Sequence, residues 1–389
     1  MAAVGSRLWP ALIGLTLAAC VTAGPSPTLP PATQTAVPST PTASPIPATV
    51  TLAPSATDAP ATPAPPATPS VAPATGTATV TPSATVPPIV HFMAVGDLML
   101  GRSVGDHMQS QGAASVFSGV ASTLLQADLL AGNLECVVSD QGQPQFKSFT
   151  FQAPPLAVEA LSSVGFDVLS LANNHSMDYG LDGLADMLAR LREAGLNTVG
   201  AGADAEAAEA PVILERNGVH VAFLAYVNVP VESRTTFDTH AWAAAVEKPG
   251  VAWGDPAVIA KDVAEAKTLA DVVVVLLHSG LESSLAVDSI QRTLAHAAVD
   301  AGAALVIGAH SHTLQPVEHY KDGIIAYSLG NFVFDGFTTP SNYSAIFTAT
   351  LTPTGVDSYD WIPVVIEKGL PRLATPAEAA EILPLVRVQ

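Results

Sequence analysis

The chain has 389 residues, 49% of them hydrophobic and 13% charged, and its 15 Lys and Arg against 34 Asp and Glu leave a net charge of −19. That acidity excludes nucleic-acid binding by bulk electrostatics, and two cysteines exclude a disulfide framework. The length accommodates one large or two ordinary domains.

The N-terminus carries a single basic residue, Arg7, then an apolar segment from Trp9 to Leu17, then Leu17-Ala18-Ala19-Cys20. The apolar part is too short to span a bilayer permanently, and the order of basic, apolar and small residues is the plan of a cleavable export signal. Its last four residues resemble a bacterial lipobox, whose cysteine is lipid-modified and becomes the new N-terminus. Residues 1–20 are therefore expected to be a lipoprotein signal, with Cys20 the lipidation site and the chain held at the membrane, outside the cytoplasm, in the cell envelope.

Residues 21–88 hold 18 of the 33 prolines, and residues 1–88 contain only Arg7 and Asp58 as charged groups. A Pro, Thr, Ala and Ser tract of this kind cannot build a core. It reads as a disordered or polyproline-like tether, extending at most on the order of 200 Å at ~3.1 Å per residue. An O-glycosylated stalk fits the same composition.

From Ile89 the pattern changes. Apolar runs at Ile89–Val95, Ala127–Ala131, Phe166–Ala172, Val219–Val227, Asp271–Leu277, Ala303–Ile307 and Ile324–Tyr327 read as strands. Helical patterns lie between several of them, at Pro154–Val164, Leu181–Ala194, Pro256–Leu269 and Ser289–Ala301. Near-continuous Val, Ile and Leu strands separated by helices predict an α/β domain with sheets buried on both faces. Strands follow at Ala345–Leu351 and Trp361–Ile366, and Thr375-Pro376-Ala377-Glu378 is a capping signal for a last helix. No second low-complexity break interrupts residues 89–389, which predicts one domain.

Polar residues fall at the ends of these strands. Asp97 follows the first, Asn133 and Glu135 the second, and Asn173, Asn174 and His175 the third, while His278 ends the run at Leu277 and His310 and His312 follow Ile307. The carboxyl edge of an α/β sheet is where ligands bind. Five strands delivering carboxylates, imidazoles and an amide to one edge point to a metal site for Mn, Fe or Zn rather than a thiolate site. The number of candidate ligands suits two ions ~3.5–4 Å apart that clamp an oxyanion and activate a water. His310-Ser311-His312 presents both imidazoles to one side if its backbone is extended. Cys136 reads as a small buried hydrophobe and not as a soft ligand. Ser328-Leu329-Gly330-Asn331 reads as a turn that supports the site through its backbone. His91, His107, His220, His240, His296 and His319 read as ordinary surface or partly buried residues.

In sequence order, the blocks Gly96-Asp97-Leu98-Met99-Leu100-Gly101-Arg102, Gly132-Asn133-Leu134-Glu135 and Leu171-Ala172-Asn173-Asn174-His175-Ser176-Met177-Asp178-Tyr179-Gly180 resemble those of the bacterial CapA family of poly-γ-glutamate capsule biosynthesis proteins. His278-Ser279-Gly280-Leu281-Glu282, Gly308 to Pro316 and Tyr327 to Phe334 agree in order, so the resemblance runs from Ile89 to Phe334. It implies a metallophosphatase-like fold, a four-layer α/β sandwich of two sheets flanked by helices. It also implies that Asp97 ligates a first metal, Glu135 bridges, and Asn174 ligates a second. His175 is then a general acid or electrophile oriented by Asp178, and His278, His310 and His312 complete the coordination. The usual Asp-x-His motif reads Asp97-Leu98-Met99 here, the Gly before the terminal His pair is Ala309, and Ser279 replaces a Trp.

Arg102 and Lys147, two of the few cations near these blocks, are expected to hold a phosphate or carboxylate by charge-assisted hydrogen bonds, or else to be solvated surface charges. The implied partner is a cell-surface anionic polymer or a phosphoester, together with capsule-assembly proteins. A polyanion meeting this acidic domain must rely on metal and on these cations within a ~10 Å Debye length. Two function classes follow: a metal-dependent hydrolase of phosphoesterase type, or a non-catalytic polymer-binding or export component whose metal site is degraded.

Overall fold

The computed structural model describes residues 88–230, 232 and 237–388. The lipobox-like run with Cys20 and nearly all of the expected tether lie outside the described residues. Among those described, no helix is long and apolar enough to cross a membrane.

In chain order the elements that position the site are β1 (Val90–Leu98), α1 (Arg102–Gln111), β2 (Leu129–Leu134), α2 (Ala157–Ser163), β3 (Val168–Ser170), α3 (Gly180–Glu193), β4 (Asn197–Val199), β5 (Val212–Arg216) and β6 (Val219–Asn228). Then follow α4 (Pro256–Ala266), β7 (Val272–Ser279), α5 (Ser289–Asp300), β8 (Leu305–Ala309), β9 (Val317–Tyr320), β10 (Gly323–Ala326), β11 (Asn331–Val333), β12 (Tyr343–Thr352), β13 (Gly355–Glu367), β14 (Leu370–Leu373) and α6 (Pro376–Ile382). The domain is α/β, as expected, with two large sheets. The first runs β14-β13-β12-β1-β2-β3-β4, with the short β11 pairing in parallel with the end of β1. The second runs β9-β10-β8-β7-β6-β5.

The strands of the second sheet are apolar on both faces because each face has a different neighbour. Val221, Phe223, Val272, Val274, Leu276, Leu305 and Ile307 join the core shared with the first sheet, and Phe223 packs on Phe92 of β1 with ring centroids 5.9 Å apart. The alternate residues Ala222, Leu224, Val273, Val275 and Val306 pack instead with Ile259 and Val263 of α4 and with Leu294 and Ala298 of α5. A period-two pattern in which both phases are apolar is what a sheet covered on both sides requires.

The strands that build the site run parallel: β1 with β2, β2 with β3, β6 with β7 and β7 with β8. Parallel pairing places their carboxyl ends together at one edge. Register does the rest. Asp97 lies opposite Asn133, Asn133 opposite Ser170, and His278 opposite Ala309, one residue before His310.

Helix starts are fixed by side chains. Asp255 caps α4 with Pro256 at its first position, and capping boxes close α5 through Asp288 and Gln291 and α6 through Thr375 and Glu378. Arg372 reaches both carboxylate oxygens of Glu378, at 2.8 and 2.9 Å, and the Glu378 pKa falls to about 2 through that pair and the Thr375 bonds. Thr375→Ala removes the side-chain acceptor for the Glu378 N–H and is expected to lower stability by about 1 kcal/mol, measured by urea denaturation.

Candidate metal centre

At the shared edge, Asp97, Glu135, Asn174, His278, His310 and His312 are all buried. Their ligand atoms fall into two overlapping triads. Glu135, His278 and His310 form one and Asp97, Glu135 and His312 the other, the atoms of each within 4.8 Å of one another. Asn174 Oδ1 lies 2.8 Å from His278 Nε2 and so borders the first triad. His278 Nε2 is also 3.1 Å from His310 Nδ1.

Glu135 belongs to both triads, and its environment tests whether these residues suit cations. Its carboxylate is fully buried, and neither oxygen has a hydrogen-bond partner. Imidazole nitrogens of His278, His175 and His312 lie 3.8, 3.9 and 3.9 Å from one of its oxygens, and the Asp97 carboxylate is a close neighbour. A buried carboxylate without donors is costly, and such groups are rare unless an ion satisfies them. Burial, then the neighbouring Asp97 charge, raises the Glu135 pKa well above the usual value. Burial also drives the His278 and His310 pKa values well below the usual imidazole range, and the neighbouring imidazoles push the same way. Neutral imidazoles grouped around a buried carboxylate that accepts no hydrogen bond fit divalent cations.

Neighbouring side chains position several residues of the centre. Asn133 donates from Nδ2 to Asp97 Oδ1 at 2.8 Å and lies 3.1 Å from His278 Nδ1. Asn173 donates to Asn133 Oδ1 at 3.1 Å and to the Leu134 carbonyl at 2.8 Å, and its own Oδ1 accepts from the His175 N–H. Asp178 Oδ2 lies 2.6 Å from His175 Nδ1 and accepts from the Phe151 N–H at 2.7 Å. The Phe151 ring stacks on His175 at 4.0 Å. Burial lowers the His175 pKa, with Asp178 opposing that effect. Since Nδ1 is committed to Asp178, Nε2 is the nitrogen left for exchange. His175 and His312 line a cavity of about 470 Å³ above the triads, with Phe149, Phe151, Phe334 and Phe337 in its wall.

Several expectations need correction. Residues 310–312 are not extended: His310 and His312 have φ of 90° and 56°. The Ser311 hydroxyl instead pins a tight loop, donating to the Thr313 carbonyl and bonding Ser328 Oγ, both at 2.9 Å. Both imidazoles still reach the centre. Asn331 acts through its side chain as well as its backbone, since its Oδ1 lies 2.9 Å from His312 Nδ1. Lys147 is not a solvent-facing cation. Its side chain is fully buried, its Nζ lies 2.8 Å from Asp178 and pairs with Glu232, and it donates to the Asn174 carbonyl. It braces the loop that carries Asn174 and His175 and is not available to an incoming anion. Arg102 is partly exposed, pairs with Asp335, and lies over the Phe151 and Phe334 rings in the cavity wall.

Cys136 is buried, and burial pushes its thiol up to about 12, so no thiolate is offered to the centre. Met99, where the resemblance expects an imidazole, is buried with Sδ accepting from the Gly101 N–H at 3.2 Å. Glu232, which touches Lys147 and Asn174, gives no sign in the sequence. It stands in Val229-Pro230-Val231-Glu232, at no strand end that could be recognised.

The family model described as bacterial capsule synthesis protein PGA_cap matches residues 91–336. The PGA biosynthesis protein CapA of Bacillus subtilis is 36% identical over 280 residues, covering 71% of this chain and 72% of the relative. The capsule biosynthesis protein CapA of Bacillus anthracis is 37% identical over 291 residues, covering 73% and 69%. Among solved structures, a phosphatase of Mycoplasma pneumoniae is 12% identical with a TM-score of 0.46, covering 77% of this chain and all of that one. A hypothetical protein of Thermus thermophilus is 15% identical with a TM-score of 0.47, covering 70% and 98%.

Proposed function

This chain belongs to the bacterial capsule synthesis protein family, and from that membership we propose that it is a lipid-anchored envelope protein whose buried centre holds two divalent ions and hydrolyses a bond in a capsule polymer or in a phosphoester used for its assembly. The carrying observation is the Glu135 carboxylate, buried without a hydrogen bond and common to both ligand triads. Mn, Fe or Zn bound there supplies positive charge for a developing oxyanion and acidifies a water.

The chain's own residues do the remaining work. Asp97, Asn174, His278, His310 and His312, with Glu135 common to both triads, would hold the ions. Asp178 fixes the His175 ring, leaving Nε2 to exchange a proton with a group in the cavity. Arg102 meets an anionic group from the cavity wall. Anchoring through Cys20 and spacing by residues 21–88 rest on the composition of those segments, and partners in capsule assembly would be met at the membrane surface.

A second reading, a polymer-binding or export component without catalysis, is favoured by Met99, which offers no imidazole to the Asp97 side of the centre. Elemental analysis and assay of generic phosphomonoesters and phosphodiesters separate the two. Bound transition metal with turnover that His310→Ala abolishes is expected for the hydrolase. Absence of turnover, with or without bound metal, is the result expected of the second reading, and no metal after loading with Mn, Fe or Zn overturns the hydrolase.

Metal uptake is also expected to release a proton and to weaken as pH falls, because Glu135, with its raised pKa, must ionise to ligate. His278 and His310 are already neutral and release none. Calorimetric titration in buffers of different ionisation enthalpy measures the protons released.

A further inference from the structure

A second cavity, of about 790 Å³, adjoins the one above the triads, and Phe334, Asp335, Gly336 and Phe337 line both. This segment is the wall between them. Asp335 holds the wall down by accepting from the Ser103 N–H at the start of α1 and by pairing with Arg102. The crest of the wall is Gly336, which is exposed, has no side chain and has φ of +85°. A Cβ there would stand 3.1 Å from the Arg102 guanidinium. The crest is thus a low saddle with a cation beside it.

Beyond the saddle, the groove runs between His107 of α1 with Ser118 on one side and the turn bearing Lys368 and Arg372 on the other. Arg372 is neutralised by Glu367 and Glu378. Lys368 is exposed and has no ion-pair partner among the described residues. Arg102, itself paired with Asp335, and Lys368 are therefore the cations that an anion meets along this path, across a domain whose net charge of −19 otherwise repels it. Each cavity alone has the volume of a small-molecule site. Two joined end to end over a side-chain-free saddle fit a ligand longer than one unit.

We propose that the second groove is a subsite for the continuing chain of an anionic polymer whose terminal unit lies against the metal centre. The chain crosses the Gly336 saddle beside Arg102 and follows the groove past Lys368. The inference rests on the polymer reading of the centre given above, and it adds the direction of the chain and the residues that follow it.

The test uses the full chain loaded with Mn²⁺ and γ-linked glutamate oligomers of increasing length. Affinity is expected to rise by about tenfold or more from dimer to long oligomer as additional units engage the linked subsite, and the rise should shrink as salt is added. Lys368→Glu and Ser118→Trp, both at exposed positions, should remove most of that gain while leaving metal content, thermal midpoint and dimer affinity unchanged. Lys368→Gln, which removes the positive charge without adding a negative one, should lose an intermediate share. Equal affinity at every length in the native chain, or a length gain that survives both Lys368→Glu and Ser118→Trp, overturns the subsite. Failure of dimer and long oligomer alike to bind the metal-loaded chain overturns the polymer reading itself, and the subsite with it.

Discussion

Glu135→Gln leaves the protein unable to load metal and, in its metal-free form, more stable than the native chain. The two effects have one origin. Glu135 is the only residue common to both triads, so its loss removes a ligand from each, and affinity should fall by two orders of magnitude or more, about 3 kcal/mol. Without metal the same carboxylate is a buried group with no donor on either oxygen. Replacing it by an amide removes the titrating group, so the metal-free variant should be the more stable at neutral pH and above.

The pH dependence carries the sign. A carboxyl whose folded pKa is raised above the ordinary value of 4.5 stabilises the fold below that value, and this contribution is lost as pH rises through the folded pKa. The native metal-free protein should therefore lose stability over that window, and Glu135→Gln should not. His278 and His310 act in the opposite sense: with folded pKa values lowered from 6.5, they lose stability as pH falls below that value, in both proteins alike. Thermal melts across pH with and without chelator, beside metal analysis, give the comparison. A glutamine variant that still retains two metals would show that Glu135 does not bridge.

Gly96→Ala is expected to have the largest effect on folding. A Cβ at position 96 would lie 1.8 Å from the Gly330 carbonyl oxygen and 2.9 Å from its carbon. Both are backbone atoms, so no side chain can move aside. The same carbonyl accepts the Asp97 N–H at 2.9 Å, and Asp97 pairs in register with Asn331. Moving β1 away from β11 would therefore separate Asp97 from Asn331 and His312 as well as open the core. A loss of about 3 kcal/mol or more is expected, seen as a lowered denaturation midpoint, together with loss of metal at the triad containing Asp97. A variant of native stability would mean that β11 does not lie against β1 as described.

Much of this architecture was legible in the sequence. The strands at Val219–Asn228, Val272–Ser279 and Leu305–Ala309 are buried on both faces, so nearly every residue in them is drawn from the apolar set, and the first polar ligand types at the ends of the last two, His278 and His310, belong to the site. Less visible were elements with weak patterns. The polar helix Arg102–Gln111 buries only Val104, Gly105 and Met108, and the edge strand Val212–Arg216 has no fully buried residue.

The sequence by itself determined which residue types stand at the strand ends, and with them the ligands on offer and an α/β order in which parallel strands share a carboxyl edge. Tertiary structure alone decided how they are used. Lys147 looks like any surface cation until Asp178 and Glu232, 31 and 85 residues away in sequence, close around it. The loop at His310 to His312, with positive φ at both histidines, is held by a hydroxyl contact between Ser311 and Ser328. The physical reason is the same in both cases. Periodicity reports whether a side chain meets apolar matter or water, whereas the partner of a buried charge or hydroxyl is set by contacts distant in sequence, which leave no local pattern.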